Sequence, residues 1–396
     1  MKYVVLGGAG AMGSIVVKDL AETCPLSDEV IIADYDRAKA KALANSYRTR
    51  RVKAVGVDVT NKASTVKALR GAAVVINSVT HHYNLGVMEA ALAARVHYVD
   101  LGGLFHYTRK QLKLNKRFKD KGLTAVLCMG AAPGITNILA RDAADRLDRV
   151  REIHIRSGSE DHTRYDFEQV LPISYSFRTI MEEFSYKTPI FTKGKFKFIE
   201  PMSGLKPHRF PKPVGVQSPM FTIHSETATL PLSFKHKGVK EVSFKIAFDQ
   251  EFLDRVRFLR DLGLGSETPI QAGGVAVPPI DVTDRVIMSQ PSPKAISKPK
   301  EYDVERAIVK GTERGKKVTW VMDCHATGMP SWGIGVDIST GSPPAIAAQM
   351  IANGEITVKG VFPPERAVPP KPFYKHLKKR RMRVVASKKK GWDFSV

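Results

Sequence analysis

The chain has 396 residues, 43% of them hydrophobic and 26% charged, with a formal net charge of +23. Such a length allows two or three domains around a large core, and the balance excludes a chain disordered throughout, a collagen-like chain or a mucin-like one. No apolar run approaches the ~20 residues that a membrane helix needs, and Cys24, Cys128 and Cys324 lie far apart without a CxxC pair, against a disulfide framework or a structural zinc site.

Residues 3–6 form a β-branched apolar run, the mark of a strand buried on both faces. Gly8, Gly10 and Gly13 follow as GxGxxG, with Ala11 and Met12 between the last two, and residues 14–21 have a helical pattern. This context predicts a dinucleotide site. The first glycine permits a tight turn, the second lets a pyrophosphate reach the backbone, and the third lets helix and strand pack closely. The helix N-terminus then faces the phosphates with free amides. An apolar run this short is no secretory signal, and the segment is not a transit peptide, so the expected compartment is the cytoplasm. A second strand over 29–33 ends at Asp34, 21 residues after Gly13, where a carboxylate meets the adenosine ribose. A carboxylate repels a 2′-phosphate and favours NAD, while Arg37 nearby keeps NADP possible.

Further strands at 51–59, 73–79, 97–101 and 125–129 alternate with helices at 63–70, 85–94 and 111–121, which predicts a doubly wound parallel sheet. Asp58 and Val59 end the third strand, where adenine contacts are expected. Asn77 and Ser78 end the fourth, on the nicotinamide side. Asp100 ends the fifth beside Gly102 and Gly103, placed either as a proton acceptor in the crevice or as a cap of the next turn. His81 and His82 read first as loop residues bordering the crevice. In GAAPGITN (130–137), Pro133 and Gly134 set a turn, and Thr136 or Asn137 can cap a helix over 138–147. Free amides of this loop would face a nicotinamide amide or a substrate carboxylate.

From residue 151 the pattern changes. EIHIRSG, FTIHSETATLPLSF, EVSFKIAF and KKVTWVMDC read as strands, 171–184 as a helix, 189–199 as a hairpin around Lys193-Gly194, and 265–300 as a proline-rich, loop-rich stretch with short elements. A mixed or antiparallel sheet is the natural assembly. His224 and Glu226, two apart in a strand, would share one face as an acid–base or ammonium site, or as a structural hydrogen bond. Cys324-His325 has no partner in the sequence, and no spacing suggests a metal. Ser342-Pro343-Pro344 opens a helix that Gly354 stops. Residues 371–390 hold ten Lys or Arg and no carboxylate. They read as a solvated tail, with non-specific binding of a nucleic-acid backbone the less favoured reading, since no recognition helix or zinc finger accompanies them.

GGAGAMG (7–13), YVDLGG (98–103), GAAPGITN, HSETATLP (224–231), FLRDLGL (258–264) and TGSPPAIAAQMIANGEITVKGVFPPE (340–365) run in order along nearly the whole chain. Together they resemble the saccharopine dehydrogenase-like family. The resemblance implies an α/β fold: a Rossmann domain over 1–140 with a doubly wound parallel sheet, and an inserted α+β domain of mixed sheet over 141–335. A segment over 336–396 would return to the first domain and end in the basic tail. It also implies an NAD(P)-dependent oxidoreductase, usually a homodimer, that moves a hydride at a C–N bond of an amino acid or opine. Lysine 6-dehydrogenase or saccharopine dehydrogenase activity is the first expectation. A carboxynorspermidine-type reductive condensation is the rival enzyme, and a dinucleotide sensor or nucleic-acid binder the non-enzyme alternative.

Overall fold

The computed structural model describes residues 1–173 and 175–392. Its first part runs β1 (Lys2–Leu6), α1 (Ala11–Thr23), β2 (Glu29–Asp34), α2 (Arg37–Ser46), β3 (Val52–Gly56), α3 (Lys62–Leu69), β4 (Val74–Asn77), α4 (Asn84–Ala94), β5 (His97–Asp100), α5 (Leu104–Leu112), α6 (Asn115–Asp120) and β6 (Thr124–Val126). These strands pair in parallel in the order β6-β5-β4-β1-β2-β3. The order reverses between β1 and β4, which opens a crevice at their carboxyl ends. Tyr3, Val4, Val5 and Leu6 are all buried, as a central strand covered on both faces requires.

The basic helix expected over 111–121 is two helices. Lys113 and Leu114 donate their amides to the carbonyls three residues back, at Lys110 and Gln111. That tightened turn brings both Leu112 and Leu114 onto the core.

After α7 (Ile135–Asp145) comes the second part: β7 (Arg149–Asp161), α8 (Phe177–Ser185), β8 (Thr188–Thr192), β9 (Lys195–Ile199), a ribbon of β10 (His208–Arg209) and β11 (Val216–Gln217), α9 (Glu226–Ser233), β12 (Glu241–Ile246), α10 (Gln250–Asp261), a ribbon of β13 (Ile270–Ala272) and β14 (Val275–Val277), α11 (Pro279–Met288), β15 (Glu301–Glu313) and β16 (Lys316–Ala326). The chain ends with α12 (Ile338–Ala352), β17 (Gly360–Phe362), α13 (Pro364–Ala367), α14 (Pro370–Lys379) and β18 (Arg383–Lys390). The second sheet has the order β18-β16-β15-β7-β12-β8-β9 and is mixed, since β7 and β12 run parallel and the other neighbours antiparallel. β17 joins the first sheet beside β6. One apolar core runs through both sheets, from Val5 and Ile32 to Ile153, Phe244, Val309 and Ile346.

Three expectations are corrected here. The stretch over 221–234 is not a strand: an irregular lead-in ends in α9. Thr227, Ala228, Thr229, Leu230 and Pro231 are all buried, so no polar face marks a period and the β-branched threonines mislead. The helix expected to open at Ser342 starts four residues earlier, at Ile338. Gly341 lies against Ile15 of α1 so closely that a Cβ would stand 2.4 Å from its Cγ2, so packing rather than capping sets this helix. The basic stretch over 371–390 is not a solvated tail. Arg380 is 1% exposed and holds both oxygens of Asp19 on α1, at 2.7 and 2.5 Å, and β18 is hydrogen-bonded along β16. Among the described residues no helix is long and apolar enough to cross a membrane.

Candidate active site

The glycine turn fits a diphosphate. A Cβ on Gly13 would stand 2.0 Å from the carbonyl oxygen of Gly7, so only glycine allows α1 to rise this close to β1. No side chain caps α1 at Gly10, which leaves the first amides, at Ala11, Met12 and Gly13, to a ligand. Asp34 is held at the end of β2, its Oδ2 accepting the Ala9 amide at 2.9 Å and its Oδ1 the Asp36 amide at 3.0 Å. Arg37 opens α2 beside it and packs against Gly56. Asp58 accepts the amide and hydroxyl of Thr60, next to Val59, and these bonds hold its carboxyl below the usual range. At the end of β4, Asn77 Oδ1 and Ser78 Oγ are buried without a hydrogen-bond partner. Orphaned polar atoms at the switch point are what a dinucleotide would satisfy.

Four amides of the proline–glycine loop are engaged within it. Gly130 donates to Pro133, Gly134 to the Asn137 side chain, Ile135 to Gly130 and Thr136 to Ala131. Pro133 contributes shape instead. A Cβ on Gly102 would stand 3.0 Å from its ring.

Asp100 is fully buried beneath this loop. Oδ1 accepts the amides of Gly102 (3.0 Å) and Cys128 (2.7 Å), and Oδ2 accepts the Tyr98 hydroxyl (2.9 Å) and the Gln111 amide (2.5 Å). Burial raises its carboxyl above the ordinary value against the pull of these four donors. It ties β5, α5 and the 128–134 loop together.

Three distant motifs knot together. Thr136 donates to Glu226 Oε1 at 2.8 Å, Asn137 to Glu365 at 2.9 Å, and Ser233 to the other Glu365 oxygen at 2.8 Å. Glu226 is the first residue of α9, where the helix dipole favours a carboxylate. His224 and Glu226 do meet, but through a turn rather than along a strand: Nδ1 of His224 is hydrogen-bonded to Glu226 Oε2. The imidazole stacks on Phe244 at 3.7 Å between ring centres. Its Nε2 lies 4.0 Å from Glu183 Oε1, beyond hydrogen-bonding distance. Burial alone would lower the His224 pKa, but the charge and hydrogen bond of Glu226, with the charge of Glu183, outweigh it and raise it. Glu183 itself is pushed by burial to about 7, against the pull of His224 and the Tyr175 hydroxyl, which donates to Glu183 at 2.7 Å.

Glu182, its neighbour on α8, takes both histidines of the 81–82 pair, His82 at 2.9 Å and His81 at 3.1 Å. The latter contact lacks the alignment of a hydrogen bond, since His81 Nε2 and Glu182 Oε2 are both unpartnered by that measure. Burial and the adjacent His81 keep the His82 pKa low. Among the described residues these three side chains are the one group whose donor atoms, all within 4.8 Å of one another, could hold a metal ion. A small cleft lined by Arg178, Glu182, Tyr186 and Glu267 adjoins a wider one of ≈ 630 Å³ lined by Tyr186, Glu200, Arg260 and Glu267. Burial holds the Cys324 thiol well above its ordinary pKa, which removes it as a nucleophile.

Sequence reading missed Glu182 and Glu183, although a signal existed. Glu183 lies three residues after Ile180 and next to Phe184, both buried, so the helix period places an acid on an apolar face.

Residues 3–126 match the family described as Saccharopine dehydrogenase NADP binding domain, and residues 130–382 the Saccharopine dehydrogenase C-terminal domain. The chain is similar to carboxyaminopropylagmatine dehydrogenase of Synechocystis sp., at 25% identity over 394 residues and 95% of each chain. It is also similar to carboxynorspermidine synthase of Vibrio cholerae, at 24% identity across 98% of this chain and 95% of the other. In fold it is similar to saccharopine dehydrogenase (L-Glu forming) from Saccharomyces cerevisiae, with a TM-score of 0.72, 18% identity, and 98% and 99% of the two chains covered. A second solved structure, homospermidine synthase from Legionella pneumophila in complex with NAD, gives a TM-score of 0.69 at 13% identity, covering 98% and 91%.

Proposed function

Because this chain belongs to the saccharopine dehydrogenase family of NAD(P)-dependent oxidoreductases, we propose that it joins a primary amine of a cationic diamine to an amino-acid aldehyde and reduces the resulting imine. The observation that carries this reading is the acid-rich centre: Glu183 and Glu226, both buried, flank one imidazole whose Nε2 is unbonded, and buried Glu182 is the neighbour of Glu183 on α8. Buried carboxylates in that number suit a substrate that arrives positively charged. The two relatives whose names concern carboxylated polyamine compounds support it. In this reading residues 1–140 hold the dinucleotide, and Asp34 favours NAD over NADP through its charge at the ribose.

His224 accepts a proton from the attacking ammonium at Nε2, and Glu226 fixes the tautomer through Nδ1. The same imidazolium returns that proton to the hydroxyl as the carbinolamine loses water, so ammonium plus aldehyde gives iminium plus water. A bound reduced dinucleotide would supply the hydride to the iminium carbon. Glu183 stabilises the transient positive charge. Asp100, with four donors on its two oxygens, is a positioning residue here and not the proton acceptor.

Oxidation of lysine with release of ammonia is the second reading, because the same centre could hold a lysine side chain. Absorbance at the reduced-nicotinamide band separates them. Consumption of NADH or NADPH that requires both an amino-acid aldehyde and a diamine is the expected result. Formation of NADH from NAD and lysine alone would replace the proposal with the second reading.

A further inference from the structure

β15 carries Glu301, Asp303 and Glu305 at alternate positions, so the three carboxylates share one face. Glu301 accepts the Val336 amide at 2.7 Å, ahead of α12, and Asp303 accepts the Ser339 hydroxyl at 2.9 Å, inside its first turn. Glu305 Oε1 accepts the Ser157 hydroxyl of β7 at 2.9 Å. Its other oxygen, Oε2, has no partner, although the residue is 3% exposed.

Such a group is costly unless a charge or donor arrives from outside. The charges acting on Glu305 come from Asp303 and Glu226, and the charge acting on Asp303 comes from Asp337. Among the described residues no lysine or arginine forms an ion pair with Asp303 or Glu305. Arg306, the next residue of β15, lies on the opposite face and is held by Asp323 at 2.6 and 2.9 Å. Burial pushes Asp303 to about 7 and Glu305 well above the carboxylate range. Asp303 nonetheless keeps some accessible surface. Since Glu226 acts on Glu305, this acid face borders the His224 centre.

We propose that Asp303 and Glu305 form an ammonium-recognition subsite, in which a primary ammonium of the substrate docks on the free oxygen of Glu305 and on Asp303. This rests on the amine-condensing reading above and adds to it the residues that read the substrate's non-reacting charge. The ammonium belongs either to the far end of a diamine or to the α-carbon of the amino-acid partner.

Glu305→Gln removes the ionisable oxygen that an ammonium would meet and keeps the shape, and Asp303→Asn serves as the second variant if the first does not fold. Steady-state kinetics with propane-1,3-diamine, with propylamine and with an amino-acid aldehyde give the KM of each, and thermal shift with each ligand gives binding independent of turnover. Loss of a docked ammonium raises the KM of the cationic substrate about tenfold or more, leaves the KM of the dinucleotide unchanged, and erases any preference for the diamine over propylamine. If the α-ammonium is the docked group, the KM of the amino-acid partner rises in its place. Wild-type KM values and wild-type thermal shifts in both variants would overturn the subsite while leaving the reaction intact. Absence of turnover in the wild-type enzyme, with ligand-induced stabilisation that the variants lose, would keep the subsite and remove the condensation.

Discussion

Asp100 and Glu305 are both buried carboxylates, one in each sheet, and their surroundings differ. Asp100 closes β5 and receives four donors on two oxygens, all from within about thirty residues of it. Glu305 lies on β15 with one hydroxyl for company and one oxygen left bare. The first is finished by the fold. The second waits for a ligand, as do Asn77 Oδ1 and Ser78 Oγ at the dinucleotide crevice. In this pair, hydrogen-bond completeness rather than burial separates the acid that builds the molecule from the one free to meet a ligand.

The contrast can be broken experimentally, and the largest effect belongs to the working side. His224→Asn should lower kcat by about 10²–10⁴-fold, since it deletes the acid–base group, while fluorescence titration finds the dinucleotide Kd unchanged. A matching loss of dinucleotide affinity would show that the two halves are not separable. Asp100→Asn replaces an acceptor with an amide that faces four donors, and should cost about 1–3 kcal/mol of stability in urea unfolding. Unchanged stability would count against the structural role and favour the other of the two expectations for Asp100, a proton acceptor.

Asp34→Ala should weaken NAD about tenfold and NADP less, because the lost carboxylate both grips the ribose and repels a 2′-phosphate. Equal effects on both cofactors would disprove that placement. The subtlest effect is the dependence of stability on pH. In the fold Glu183 is raised from 4.5 to about 7, so the native state holds this proton more tightly than the unfolded chain. Its contribution is full below pH 4.5 and drains away as the pH rises to about 7. Glu183→Gln should flatten that part of a Tm-against-pH curve, and an unaltered slope would assign it to other groups.

The half that holds the cofactor was legible because its signals are local. Gly8, Gly10 and Gly13 stand within one turn, and Asp34 follows at the end of the next strand. The acid centre joins His224 and Glu226 to Glu183 on α8 and Thr136 on α7, contacts that only the closed fold creates. α9 was misread as a strand because all but Leu232 of it is buried, so it presents no polar stripe. In the proline–glycine loop the amides of Gly130, Gly134, Ile135 and Thr136 are taken by internal hydrogen bonds that leave no mark in the sequence. One signal did lie in plain view: EYDVE puts acids at every second position of a strand whose later residues are core, a conflict between patterning and burial that marks a functional face.

The two outermost strands of the second sheet, β9 and β18, both carry lysines, at 195 and 197 on one and at 388, 389 and 390 on the other. An exposed strand border invites a foreign strand to add itself, and rows of like charge discourage it. These lysines therefore bear on colloidal behaviour: they discourage crowded copies from zipping together along their borders.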